Sequence, residues 1–167
     1  MRYLGALLLV GACAAAGFAR TAALRRKIAL VEGLSSLVRH IRTELCQRGT
    51  PLPEMLRQAS SHSPAFAHEL NRMEAELRTG QTAVNAAAPL LEHLETQRDL
   101  PETARALADL CGVLGRYDSA TQSGACDRAL EQLDRQREAL RRELDEKGRL
   151  YHAVPLALGL MAALVLL

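Results

Sequence analysis

The chain is predicted to be all-α, an antiparallel bundle of about six helices flanked by N- and C-terminal transmembrane helices. Three observations carry that expectation. Ala, Leu, Arg and Glu dominate, whereas seven Val, two Ile and five aromatic residues are too few for several β-strands. Two terminal stretches carry no Asp, Glu, Lys or Arg, and between them apolar residues recur at threes and fours. At 167 residues the chain can bury a core of its own without disulfides or metals.

The first charge-free stretch covers residues 3–19 and reads YLGALLLVGACAAAGFA; the second covers 150–167 and ends PLALGLMAALVLL. Both lie at the short end of what a helix needs to cross a bilayer, and helix is the form that satisfies its own backbone there. Pro155 stands near the start of the second stretch, where a helix tolerates it, and Tyr151 stands at the expected interface. The expected domains are therefore a transmembrane helix over 1–20, a helical bundle over 21–149 and a transmembrane helix over 150–167. Two alternatives compete at the N-terminus. Val10-Gly11-Ala12-Cys13 resembles a lipoprotein cleavage box, which predicts a lipid-anchored or exported protein, and a plain secretion signal is the other. Against both, the apolar stretch runs on past Cys13 and only Arg2 precedes it.

Arg20, Arg25, Arg26 and Lys27 follow the first stretch, and Arg141, Arg142, Lys147 and Arg149 precede the second. The positive-inside rule then puts 20–149 in the cytoplasm, with both termini across the cell membrane.

Within the bundle, Leu24, Ile28, Val31, Leu34, Val38, Ile41 and Leu45 mark one face of a long helix over 22–47, which Arg48-Gly49 ends. Thr50-Pro51-Leu52-Pro53 opens a short second helix, since a first turn has unpartnered amides that proline does not miss. Ser63-Pro64 is read as the cap of a third, with Phe66, Leu70, Met73 and Leu77 inward and Gly80 as its stop. The fourth carries Val84, Ala87, Leu91 and Leu94. Asp99-x-x-Glu102 with Pro101 resembles a capping box opening a fifth, whose face is Ala104, Leu107, Cys111 and Leu114. From about Ala120 a last helix runs unbroken toward the C-terminal stretch. Its residues 127–149 keep a thin stripe of Leu130, Leu133, Leu140 and Leu144. Around it lie acid-before-base pairs at four-residue spacing, Glu131/Arg135, Glu138/Arg142, Glu143/Lys147 and Asp145/Arg149. This segment reads as a solvated face, or as a stalk that offers its stripe to a partner helix.

The chemistry sought is absent. Gly112-x-x-Gly115 lacks the Lys-Ser/Thr ending of a phosphate loop, and there is no nucleophile elbow or zinc-protease signature. Five histidines (His40, His62, His68, His93, His152) are scattered without metal-site spacing, and Cys13, Cys46, Cys111 and Cys126 form no CxxC pair. No enzyme activity and no cofactor is expected. Net charge is +2 with interleaved signs, so there is no basic stripe for nucleic acid.

Local signatures add a family. Arg48-Gly49-Thr50-Pro51-Leu52-Pro53-Glu54 resembles the Thr-Pro-Leu-Pro-Glu turn of stage III sporulation protein AB of endospore-forming bacteria. Leu114-Gly115 followed by Asp118 and Gln122 looks like a second signature. Lys147, Tyr151 and the tail through Gly159 look like a third, in which Pro155 takes a glycine position. The resemblance spans the whole chain. It implies a role in a channel between mother cell and forespore, at the outer forespore membrane on the mother-cell side. Its soluble region is similar to the cytoplasmic domain of the type II secretion F protein, which implies a non-catalytic membrane platform beside a cytoplasmic secretion-type ATPase. Other channel subunits, the membrane and further copies of the chain are the remaining partners expected. Pro51, Leu52, Pro53, Glu54, Gly115, Asp118 and Gln122 are the candidate docking residues.

The topology is testable by cysteine accessibility. A Gln97→Cys variant is expected to stay unlabelled by an impermeant thiol reagent in intact cells and to label after permeabilisation. Labelling in intact cells alongside an extracytoplasmic control overturns the orientation.

Overall fold

The computed structural model describes the backbone of residues 2–47 and 50–166, and the side chains of 15, 18–46, 50–61, 63, 64, 66–96 and 98–146. Among the described residues there are six α-helices and no strand: α1 Arg2–Gln47, α2 Leu52–His62, α3 Ala67–Arg78, α4 Ala83–Glu92, α5 Pro101–Val113 and α6 Ser119–Leu166. A 3-10 turn, Pro64–Phe66, precedes α3, and a π-helical turn, His93–Gln97, follows α4. Among the described residues no helix is long and apolar enough to cross a membrane. The two predicted spans, 1–20 and 150–167, fall almost wholly on residues whose side chains lie outside that description.

Two compact units divide the chain within both long helices. Unit 1 comprises Met1–Ile28 and Glu138–Leu167; unit 2 is Ala29–Arg137.

Unit 2 is built around the apolar face of α1. Val31, Leu34, Val38 and Ile41 are buried there, as the spacing predicts, and Leu37 is buried beside them. Leu45, expected on that face, is half-buried, and Glu44 is buried in its place. The reason is a partner the periodicity could not show: Thr50 Oγ1 donates to Glu44 Oε2 at 3.2 Å, so the carboxylate has a hydrogen bond where it leaves water. Gly33 brings α1 against the ring of Phe66, since a Cβ there would meet Phe66 Cε2 at 3.3 Å.

From α2 to α5 the chain zigzags, with α2 on α3, α3 on α4 and α4 on α5. Short loops between successive helices leave little alternative to antiparallel neighbours. Leu56 of α2, Leu70 and Met73 of α3, and Leu107, Leu110 and Cys111 of α5 meet the α1 stripe. A cavity of about 30 Å³ remains among them. Aliphatic side chains and the Cys111 thiol line it, so it lacks the polar partners that hold a water.

Three local expectations are corrected. Ser63 precedes a 3-10 turn and makes no side-chain cap. The Asp99–Glu102 capping box does not form either: Leu100 occupies the N-cap without a side-chain bond, and Asp99 sits at φ 52°. Pro101 nevertheless takes the first turn of α5 as expected. In α4 the buried face is Ala83, Ala86, Ala87 and Leu90, rotated from the expected Val84–Ala87–Leu91 stripe, so that Val84 is exposed. With so many alanines the apolar period is ambiguous, and the Thr82 cap, whose hydroxyl accepts from Asn85 N at 3.4 Å, is consistent with the observed start. Leu94 remains buried because the π turn beyond Glu92 carries it inward.

α6 closes unit 2 antiparallel to α1. Arg42 Nε lies 2.7 Å from Asp127 Oδ1, and Cys46 Sγ donates to Ser123 Oγ at 3.5 Å, one helical turn farther in opposite directions on each helix. Both contacts are exposed, so they set register more than they add stability. Of the thin α6 stripe, Leu133 is fully buried and Leu130 half-buried. The Glu131–Arg135 and Glu138–Arg142 pairs form at 2.5 and 3.5 Å.

Leu70→Asp tests this core. An unpaired carboxylate there costs several kcal/mol, on the order of the whole stability of such a domain. The variant is expected to lose its cooperative melt; a melt like the parent's overturns the assigned face.

Candidate functional site

The six helices of unit 2 alternate in direction, so one end of the bundle collects the C-termini of α1, α3 and α5 and the N-termini of α2, α4 and α6. Direct contacts bear this out. Cys46 reaches Ser123, Thr50 reaches Glu44, and Glu54 at the start of α2 feels the charge of Arg78 at the end of α3. All seven candidate docking residues stand at this end, in two turns.

In the first turn, Pro51 is the N-cap of α2 in an extended conformation (φ −61°, ψ 140°), and its carbonyl accepts from Glu54 N and Met55 N at 3.0 and 3.1 Å. Pro53 falls within the first helical turn, where its missing N–H costs nothing. Pro51 is exposed; Leu52, Pro53 and Glu54 are half-buried. Glu54 is occupied internally. Arg57 Nε donates to it at 3.0 Å and Gln58 Nε2 at 3.4 Å, and the Arg57 bond holds its carboxyl below the usual carboxylate range.

The second turn joins α5 to α6 and is tied more closely. Gly115 adopts φ 75°, a left-handed conformation in which a side chain is strained although no neighbour crowds it. Gly115 N donates to Gln122 Oε1 at 3.3 Å, and Gln122 Nε2 donates back to the Tyr117 carbonyl at 2.5 Å. Asp118 caps α6: its carboxylate accepts from Thr121 Oγ1 at 2.6 Å and from Thr121 N at 3.2 Å, bonds that lower its pKa. Gly115, Asp118 and Gln122 thus close the turn on itself. These side chains hold the backbone of the turn.

Two residues outside the candidate set are what the end presents. Val84 and Tyr117 are the large apolar side chains exposed in unit 2 among the described residues, at 37% and 58%. One lies in the first turn of α4 and the other in the turn before α6. The sequence attaches no expectation to Tyr117, and its spacing places Val84 in the core. An aromatic beside a loop Asp-Ser was the available signal for the first; nothing in an Ala-rich helix marked the second.

The Cys111 and Cys126 thiols have no nucleophilic setting. Burial pushes Cys111 up to about 12, and burial with the nearby Asp127 carboxylate pushes Cys126 up to about 11. Among the described residues no group of three His, Cys, Asp or Glu could hold a metal ion.

A family profile described as stage III sporulation protein AB matches residues 2–167. No curated protein and no solved structure matches the chain.

The α5–α6 turn separates backbone from packing in a pair of variants. Gly115→Ala is expected to cost about 1–2 kcal/mol, the strain of a left-handed alanine. Gly112→Ala, inside α5 with nothing within 4 Å of the new methyl, is expected to add about 0.5–1 kcal/mol. Equal effects in urea denaturation overturn the assigned conformation.

Proposed function

We propose that this chain, which belongs to the stage III sporulation protein AB family, is a non-catalytic membrane platform in a channel between mother cell and forespore, where it docks a cytoplasmic ATPase. The family gives it a role in sporulation. The finer reading rests on the resemblance to the type II secretion F protein and on one structural observation. The exposed apolar residues Val84 and Tyr117 share an end of unit 2 with both turns, while the polar side chains of those turns are bound internally. A surface that offers apolar groups and shape, without a titratable constellation, suits a scaffold better than a catalyst. Residues 1–20 and 150–167 are proposed to hold the platform in the outer forespore membrane, with 21–149 facing the mother-cell cytoplasm. Two features support that topology: the charge-free stretches and the bases on their inner sides. Other channel subunits and further copies of the chain are the remaining proposed neighbours.

Val84→Ser with Tyr117→Ala tests the docking end. Both side chains are exposed, so stability is expected to change by no more than about 0.5 kcal/mol each. Crosslinking to the ATPase in sporulating cells is expected to fall sharply, and sporulation with it. A correctly folded double variant with an unchanged crosslinking pattern overturns the assignment of this end.

A further inference from the structure

One charge at the docking end of unit 2 is uncommitted. Among the described residues, the charged side chains of the three connections at that end, and of the helical turns that flank them, are Glu44, Glu54, Glu76, Arg78, Arg116 and Asp118. All but one are bound within the protein. Glu44 accepts from Thr50 at 3.2 Å, Glu54 holds Arg57 and Gln58, Glu76 pairs with Arg72 at 3.2 Å, Arg78 pairs with Glu74, and Asp118 accepts from Thr121. Arg116 is exposed, and its guanidinium makes no hydrogen bond or ion pair among the described residues. Asp109, the acid next before it in sequence, is exposed and does not pair with it.

The main chain around Arg116 is held on both sides. Arg116 N donates to the Val113 carbonyl at 3.2 Å, Gly115 N donates to Gln122 Oε1 at 3.3 Å, and the Tyr117 carbonyl accepts from Gln122 Nε2 at 2.5 Å. The backbone of 115–117 is therefore fixed, while the side chains of Arg116 and Tyr117 stand exposed on it. A partner that meets them has little main chain to order, which keeps the entropic cost of docking low. Arg and Tyr are also among the residue types that most often dominate the energy of a contact.

Covering Tyr117 has an electrostatic consequence. The ring is 58% exposed and directly follows Arg116, so a surface that covers it also takes water from the guanidinium. A charge removed from water without a counter-charge is costly. The acids of this end are already bound, so the counter-charge has to come from the partner. A guanidinium presents a planar fork of N–H donors that meets a carboxylate through two parallel bonds. A phosphate is the poorer match. The amides at the start of α6, which would otherwise favour it, are capped by the Asp118 carboxylate, and residues 114–118 contain no second base.

We propose that Arg116 and Tyr117 form the charged and aromatic halves of one contact, which takes a protein partner by an Asp or Glu side chain standing beside an apolar one. The proposal rests on the docking end assigned above and adds the chemistry of the partner. The test uses the full chain in sporulating cells, with the photocrosslinking residue p-benzoylphenylalanine in place of Tyr117 so that an aromatic ring is kept. The captured partner peptide, mapped by mass spectrometry, is expected to carry Asp or Glu next to the crosslinked position. Arg116→Glu is expected to lower the crosslink at least about tenfold, as for other desolvated charge pairs, and Arg116→Lys to keep part of it. Replacing the mapped acid of the partner by Lys is expected to restore the crosslink to Arg116→Glu. A misfolded chain would not be restored, so this arm separates lost pairing from lost folding, and failure to restore overturns the proposal. An undiminished crosslink in Arg116→Glu overturns it as well and leaves the docking end standing. Capture of lipid or nucleic acid, or of a partner peptide without an acid, overturns it too. If position 117 captures no protein at all, the docking end falls with it.

Discussion

Val31 and Leu34 of α1 are shut off from water, and so are Leu94 beyond α4 and Leu133 of α6. Helices from both ends of the chain therefore share one apolar interior, and each depends on the α1 stripe to finish burying its own. Removing such a side chain from water contributes about 1.5–3 kcal/mol, against a net stability that for domains of this size is only about 5–15 kcal/mol. The short helices α2 to α5, of 10 to 13 residues, are too short to hold together by propensity. Packing on the long first helix makes them helices at all. Gly33 is part of the same constraint, since the ring of Phe66 fits against α1 where no side chain projects.

Polar groups follow the core. Thr103, with no exposure, donates to Gln136 of α6, whose amide in turn donates to Glu102 at 3.3 Å. Glu44 is reached by Thr50, and the α5–α6 turn is latched by Gln122 and capped by Asp118. In each case a polar group from one element is satisfied by another element, which ties loop conformation to bundle register. One consequence bears on recognition. Polar side chains busy inside a turn have less to offer a partner, so the apolar tips at the same end become its distinctive surface.

The two units differ in electrostatic character, one carrying an excess of bases and the other an excess of acids. A balanced total conceals this, because the excesses nearly cancel in the net charge of +2.

Period and composition by themselves determined the helical class, the order of the six helices, and most of the inward faces of α1, α3 and α5. Leu34, Leu70 and Leu107 repeat at helical spacing, and strand-forming residues are too scarce to compete. Gly80 at φ 88° and Pro101 in a first turn were equally legible, because each acts through its own backbone. Tertiary structure alone decided the burial of Glu44, the rotation of α4 that exposes Val84, the unformed box at Asp99–Glu102, and the binding of the Asp118 and Gln122 side chains within their own turn. The physical reason is common to all four. A hydrophobic period is a property of one helix, whereas a buried carboxylate, an alanine face or a latched turn is settled by the partner brought to it from elsewhere in the chain.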